Sequence, residues 1–120
     1  MNIHITSIDL FVELTMGPFW AYFPNNRIPA NYLAEDISEV ITLSDDLLEA
    51  ITAWDSRYQS TYVDHDPASS GIKNPEERAA FNAVGEELAR RLRAELPAAI
   101  TVQYSEIGGN LVTIEQGSQP

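Results

Sequence analysis

Leu43-Ser44-Asp45-Asp46-Leu47-Leu48-Glu49-Ala50-Ile51-Thr52-Ala53-Trp54-Asp55-Ser56-Arg57-Tyr58 decides the fold. Ser44 can cap a helix, and Asp45 and Asp46 put negative charge on the positive end of its dipole. Leu43 and Leu48 stand at hydrophobic-staple positions. Leu47, Ile51, Trp54 and Tyr58 recur at helical spacing and form one apolar stripe. Asp45, Glu49, Thr52, Ser56 and Gln59 fall on the wet side. The spacing predicts a helix to about Tyr62, ended before Asp66-Pro67.

A second helix follows. Asn74 can cap, Pro75 suits the first helical position, and Glu77 completes a capping box. Phe81, Val84, Leu88 and Leu92 make its stripe, and Pro97 ends it. Glu86–Arg90 and Glu87–Arg91 are i,i+4 pairs in the favourable order. Gly85 interrupts the apolar face, which costs ~1 kcal/mol against alanine. A bulky neighbour at close approach, Trp54 or Tyr58, is the expected compensation.

Strands flank the helices. Ile8, Leu10, Val12 and Leu14 alternate with Asp9, Phe11, Glu13 and Thr15, the period-2 pattern of a half-buried strand. Met16-Gly17-Pro18 breaks it, and Phe19 to Phe23 is a short aromatic run. Residues 7–15 and 19–23 read as a hairpin. Residues 24–41 read as a long connection with a helical turn near Tyr32–Ile37. After the helices, Ile100, Val102 and Tyr104 alternate with polar residues. Gly108-Gly109 then turns the chain into the β-rich stretch Leu111–Glu115. The order ββ-αα-ββ predicts an α+β two-layer sandwich, with both helices on one face of a mainly antiparallel sheet. One domain over 1–116 and a frayed tail over 117–120 are expected.

Charge is unevenly distributed. The 120 residues carry 18 acids and 7 Lys+Arg, a formal net charge of -11. Residues 31–66 hold Glu35, Asp36, Glu39, Asp45, Asp46, Glu49, Asp55, Asp64 and Asp66 against Arg57 alone. Residues 67–97 balance. One strongly negative face is expected, and it favours a basic partner. Nucleic-acid backbones and anionic lipid would be repelled, so neither is an expected partner.

Several chemistries find no footing. The absence of cysteine excludes disulfides, thiol catalysis and thiolate metal sites. His4 and His65 are too few for zinc, which leaves Asp64-His65-Asp66 as a solvated acidic turn. A twelve-residue calcium loop can be counted from Asp66 through Ser70, Gly71 and Asn74 to Glu77. Its third position is Ala68, which has no ligand oxygen. No G-x-S-x-G elbow or Gly-rich phosphate loop occurs. No cofactor, metal or catalytic residue is therefore expected. Met1-Asn2-Ile3-His4 has no basic region before an apolar run, so no signal peptide is expected. No apolar run approaches the ~20 residues of a membrane span.

Gly17-Pro18-Phe19-Trp20, Leu43-Ser44 before the helix of Trp54, Asp66-Pro67-Ala68-Ser69-Ser70-Gly71, and Phe81 with Gly85 and Leu88-Ala89 together resemble a set of small, acidic, uncharacterised actinobacterial proteins. The resemblance covers about two thirds of the chain. It implies a bacterial, cytoplasmic, single-domain protein and carries no ligand or catalytic residue with it.

These readings converge on a non-enzymatic interaction protein, a monomer or weak homodimer, with an acidic surface for a basic protein. It could be an immunity or antitoxin-like inhibitor, or a nucleic-acid mimic. The expected contact residues are Glu35, Asp36, Glu39, Asp45, Asp46 and Glu49, with Trp20 and Tyr22 from the aromatic run. The alternative is a soluble domain, small enzyme or ligand-binding protein whose acidity serves solubility only.

Overall fold

The computed structural model describes residues 5–63 and 65–115. His4, Asp64 and the expected tail over 117–120 lie outside the described residues.

The core begins with β1 (Ser7–Leu10), where Ile8 and Leu10 are fully buried toward the helices. β2 (Phe19–Tyr22) pairs with it antiparallel, Ile8 opposite Ala21 and Leu10 opposite Phe19. A third strand, β3 (Ala30–Tyr32), pairs antiparallel with β2. It lies within the stretch read as a connection. Its three residues are all half-buried, so no alternation marked it. Pro29 precedes it, which an edge strand tolerates.

A 3-10 turn (Ile37–Glu39) follows and plants Ile37 and, just after it, Ile41 in the core. The helical turn thus starts where the predicted one ended. The two helices are α1 (Asp45–Gln59) and α2 (Pro75–Glu95). β4 (Thr101–Ser105) and β5 (Leu111–Thr113) form the closing hairpin. The sheet order is β3-β2-β1-β4-β5. Three neighbour pairs are antiparallel, and β1 with β4 at the centre is parallel. The sheet is therefore mainly antiparallel, with two helices on one face, an α+β fold. The parallel pair arises because the whole two-helix segment crosses over between β3 and β4.

Local chemistry sets the helix ends. Ser44 Oγ accepts from Leu47 N at 3.2 Å, and Asn74 Oδ1 accepts from Glu77 N at 2.9 Å. The Glu77 carboxylate lies 4.0 Å from Arg57. α1 ends at Gln59, three residues early. The Ser60 and Thr61 hydroxyls donate to the Arg57 and Tyr58 carbonyls, and this local bonding competes with further helix. The oxygens of the following loop are occupied too. Ser70 Oγ accepts from Val63 N, and Asp66 accepts from Ser69 Oγ.

The helix layer meets the sheet through Trp54, Phe81 and Tyr104. Trp54 stacks on Phe81 at 5.1 Å, and its Nε1 donates to the Phe81 carbonyl at 3.1 Å. The Tyr104 hydroxyl donates to the Asn82 carbonyl at 2.8 Å, and burial pushes that phenol's pKa well up. Gly85 lies beneath both rings. A Cβ there would come within 2.5 Å of Trp54 and of the Tyr104 hydroxyl. The expected close approach of Trp54 is present, with Tyr104 as a second neighbour. Val84, assigned to the stripe of α2, is 51% exposed. Gly85 and Ala89 hold the inner positions with Phe81, Leu88 and Leu92.

Candidate functional site

The outer face of α1 is fixed at both ends. At its N-terminus, Ser44 N and Oγ both donate to the Glu95 carboxylate of α2, at 2.7 and 2.6 Å. At its C-terminus, Gln59 Nε2 donates to the carbonyls of Glu13 and Met16, at 2.9 and 3.2 Å. Gln59 Oε1 accepts from Thr15 N, which holds Thr15 at a φ of 69°, a region a β-branched residue seldom occupies. α1 is thereby clamped to α2 and to the β1–β2 loop.

The 3-10 turn lies against this helix. Buried Ile37 and Ile41 anchor it, while Ser38 and Glu39 between them are exposed. Ala34, Glu35, Ser38, Leu48, Glu49, Thr52 and Ala53 line a groove of about 340 Å³. Glu35 and Glu49, fourteen positions apart, thus share one groove with an apolar floor. Asp45 and Asp46 are exposed in the first turn of α1, and Glu39 is exposed on the 3-10 turn. Asp36 is half-buried, and its carbonyl accepts from Glu39 N at 3.0 Å. A second groove of about 260 Å³ adjoins the first through Ala53. Ala50, Trp54, Arg57, Phe81 and Val84 complete it, with the Arg57 guanidinium 5.7 Å over the Phe81 ring.

Carboxylates above an apolar floor suit a long cationic side chain. Its methylene stem can lie on Leu48 and Ala53 while its head meets Glu35 and Glu49. The sequence singled out both carboxylates. It did not show Ala34, Ser38 or Thr52 as their neighbours, because the turn that brings them together has no periodicity.

Trp20 and Tyr22 are elsewhere. Phe19 and Ala21 point to the helices, so Trp20 and Tyr22 belong to the opposite face of the sheet. Trp20 stacks on Phe11 at 4.9 Å, and its Nε1 donates to the Phe11 carbonyl at 3.3 Å. Asn31, Trp20, Asp9, Gln103 and Thr113 lie in one row across that face. Asp9, at its centre, is only 2% exposed, and its Oδ1 has no hydrogen-bond partner among the described residues. Burial raises its pKa, and the Tyr22 hydroxyl beside it pulls the other way. Alternation alone placed Asp9 on the wet side.

The fold and this surface define a small, acidic α+β protein whose exposed helical face offers grooves the size of side chains. Residues 6–107 match the Serratia CdiI immunity protein-like family, and the chain belongs to that family. No curated protein matches the chain. No helix among the described residues is long and apolar enough to cross a membrane.

Proposed function

We propose that this protein is an immunity protein that binds a toxin domain through the outer face of α1 and holds it inactive. Membership of the immunity protein-like family over residues 6–107 carries the reading. The charge distribution supports a basic toxin surface as the contact. Glu35, Asp36, Glu39, Asp45, Asp46 and Glu49 lie on or beside the face that contains the groove of Glu35 and Glu49. Complementary fields steer association and speed it, most of all at low salt. Trp20 and Tyr22 lie on the other side of the sheet, so they belong to a separate contact or to none. In this reading the protein acts in the cytoplasm as a monomer or weak homodimer, its net charge opposing self-association.

The test is co-expression of this protein with the product of each gene that adjoins its own, screened for toxicity. Protection of the cells and a stoichiometric complex on size exclusion are expected. Cells that die as fast with this protein as without it, and a toxin that elutes alone, would refute the reading.

A further inference from the structure

The two edges of the sheet differ. β3 is guarded. Pro29 precedes it, and a proline beside an edge strand discourages further pairing. β5 is equally short, three residues, but no proline stands beside it. Leu111 and Val112 are 44% and 50% exposed, Thr113 is exposed, and residues 109–114 contain no Pro and no charge. Native sheets seldom leave an apolar edge in this state.

No described residue pairs with the outer side of that edge. Ile114 N donates to the Val102 carbonyl at 2.8 Å, and Tyr104 lies opposite Val112. Hydrogen-bonded and non-bonded pairs alternate along an antiparallel ladder. Val112 and Ile114 therefore face β4, while Leu111 and Thr113 direct N–H and C=O outward. The edge is also held in place. Asn82 of α2 accepts from Ile107 N at 2.9 Å and donates to the Ile107 carbonyl at 3.3 Å, which ties the β4–β5 turn to the helix.

Beside this turn lies a groove of about 370 Å³ along α2. Ala79 and Ala83 line it together with Arg78, Glu86 and Glu106, and Glu86 is paired with Arg90 at 2.6 Å. Both carboxylates are close enough to push up the pKa of Tyr104. A strand added to β5 would carry alternate side chains on the helix side of the sheet, toward this groove.

We propose that the outer edge of β5 receives an extended segment of the toxin domain as a sixth strand, with a Lys or Arg of that segment at Glu106. The proposal rests on the immunity reading and adds a second contact to the α1 face. A second copy of this chain is the poorer occupant. Each copy carries a net charge of -11, and a two-fold β5 pairing would bring Glu106 and Glu115 of both copies to one seam. A hetero partner supplies the opposite charge.

Hydrogen exchange of the full chain, alone and with the toxin domain it is found to protect against, tests this. The Leu111 and Thr113 amides are expected to exchange fast in the free protein. In the complex they are expected to slow at least tenfold. Thr113→Pro removes one outward N–H and leaves the β4 ladder intact, as edge positions allow. It is expected to weaken the complex at least tenfold with an unchanged melting temperature. A complex that protects the α1 region but leaves both amides fast would overturn the edge proposal and leave the immunity reading standing. Parent affinity in Thr113→Pro would do the same. Failure of the parent to form any complex would overturn both.

Discussion

The two helices share a core but treat their charges differently. α2 carries five acids and four bases, and much of its charge is engaged within the protein. Glu86 meets Arg90 at 2.6 Å, Glu95 caps α1, and buried Arg93 donates to the carbonyls of Ile100 and Pro97, both at 2.6 Å. α1 carries four acids against Arg57, and three of them, Asp45, Asp46 and Glu49, are exposed. Charge bound internally holds a fold together. Exposed charge of one sign over a groove is available to a partner. The comparison assigns stability mainly to α2, and it is on the α1 side that the proposed recognition rests.

The largest expected effect strikes the α2 side. Gly85→Leu drives a branched side chain into Trp54 and Tyr104, which even a lone Cβ would meet at 2.5 Å. Overpacking of this kind costs roughly 1–3 kcal/mol and occasionally more. Ala83→Leu, one turn edge away and exposed, should change stability by less than ~0.5 kcal/mol. Equal denaturation midpoints for the two variants would break the assignment.

Arg93→Met comes next. It leaves the Ile100 and Pro97 carbonyls without their charged donor, a loss of about 1–3 kcal/mol. Chemical denaturation measures it, and a parent-like midpoint would show that the guanidinium contributes little. Ser44→Ala is smaller. It removes the cap of α1 and one bond to Glu95, for roughly 1 kcal/mol. Amide exchange in the first turn of α1 should speed up in that variant, and unchanged exchange would count against the cap.

The smallest effect belongs to the outer sheet face, where pH reports on Asp9. Its folded pKa is raised above 3.8, so the folded state holds the proton more tightly than the unfolded chain. Stability therefore falls as pH rises through the folded value and is fullest below 3.8. Asp9→Asn should melt higher than the parent at pH 7, and the gap should narrow as pH drops toward 4. A gap that is constant with pH would mean that the Asp9 charge carries no penalty.

Much of this was legible in the sequence, for physical reasons. Ser44, Asn74 and Pro75 act locally, so their roles could be read in place. Ile8, Leu10, Val102 and Tyr104 alternate because one face of a strand is buried, and all four are core. What failed was non-local. The short edge strand Ala30–Tyr32 exists because β2 offers it a partner. Val84 fits helical spacing as well as Gly85 does, and only the rings of Trp54 and Tyr104 make the glycine the inner residue. Glu35 and Glu49 could each be singled out by charge. Their common groove depends on how the 3-10 turn settles on α1, and no periodicity records that. Asp9 obeyed its alternation, yet a central position among β2, β1 and β4 buried it.

The central claim is that the acidic face of α1 recognises the toxin. Glu35→Lys/Glu49→Lys reverses both carboxylates of the groove and leaves the helix dipole residues Asp45 and Asp46 in place. The decisive measurement is the association rate of this variant with the toxin domain at low salt, beside its thermal melt. Exposed charges act over a Debye length of ~10 Å at 0.1 M salt, so the effect must weaken as salt rises. The account predicts association at least tenfold slower than the parent at low salt, converging toward it at high salt, with an unaltered melt. Association as fast as the parent at low salt would contradict it.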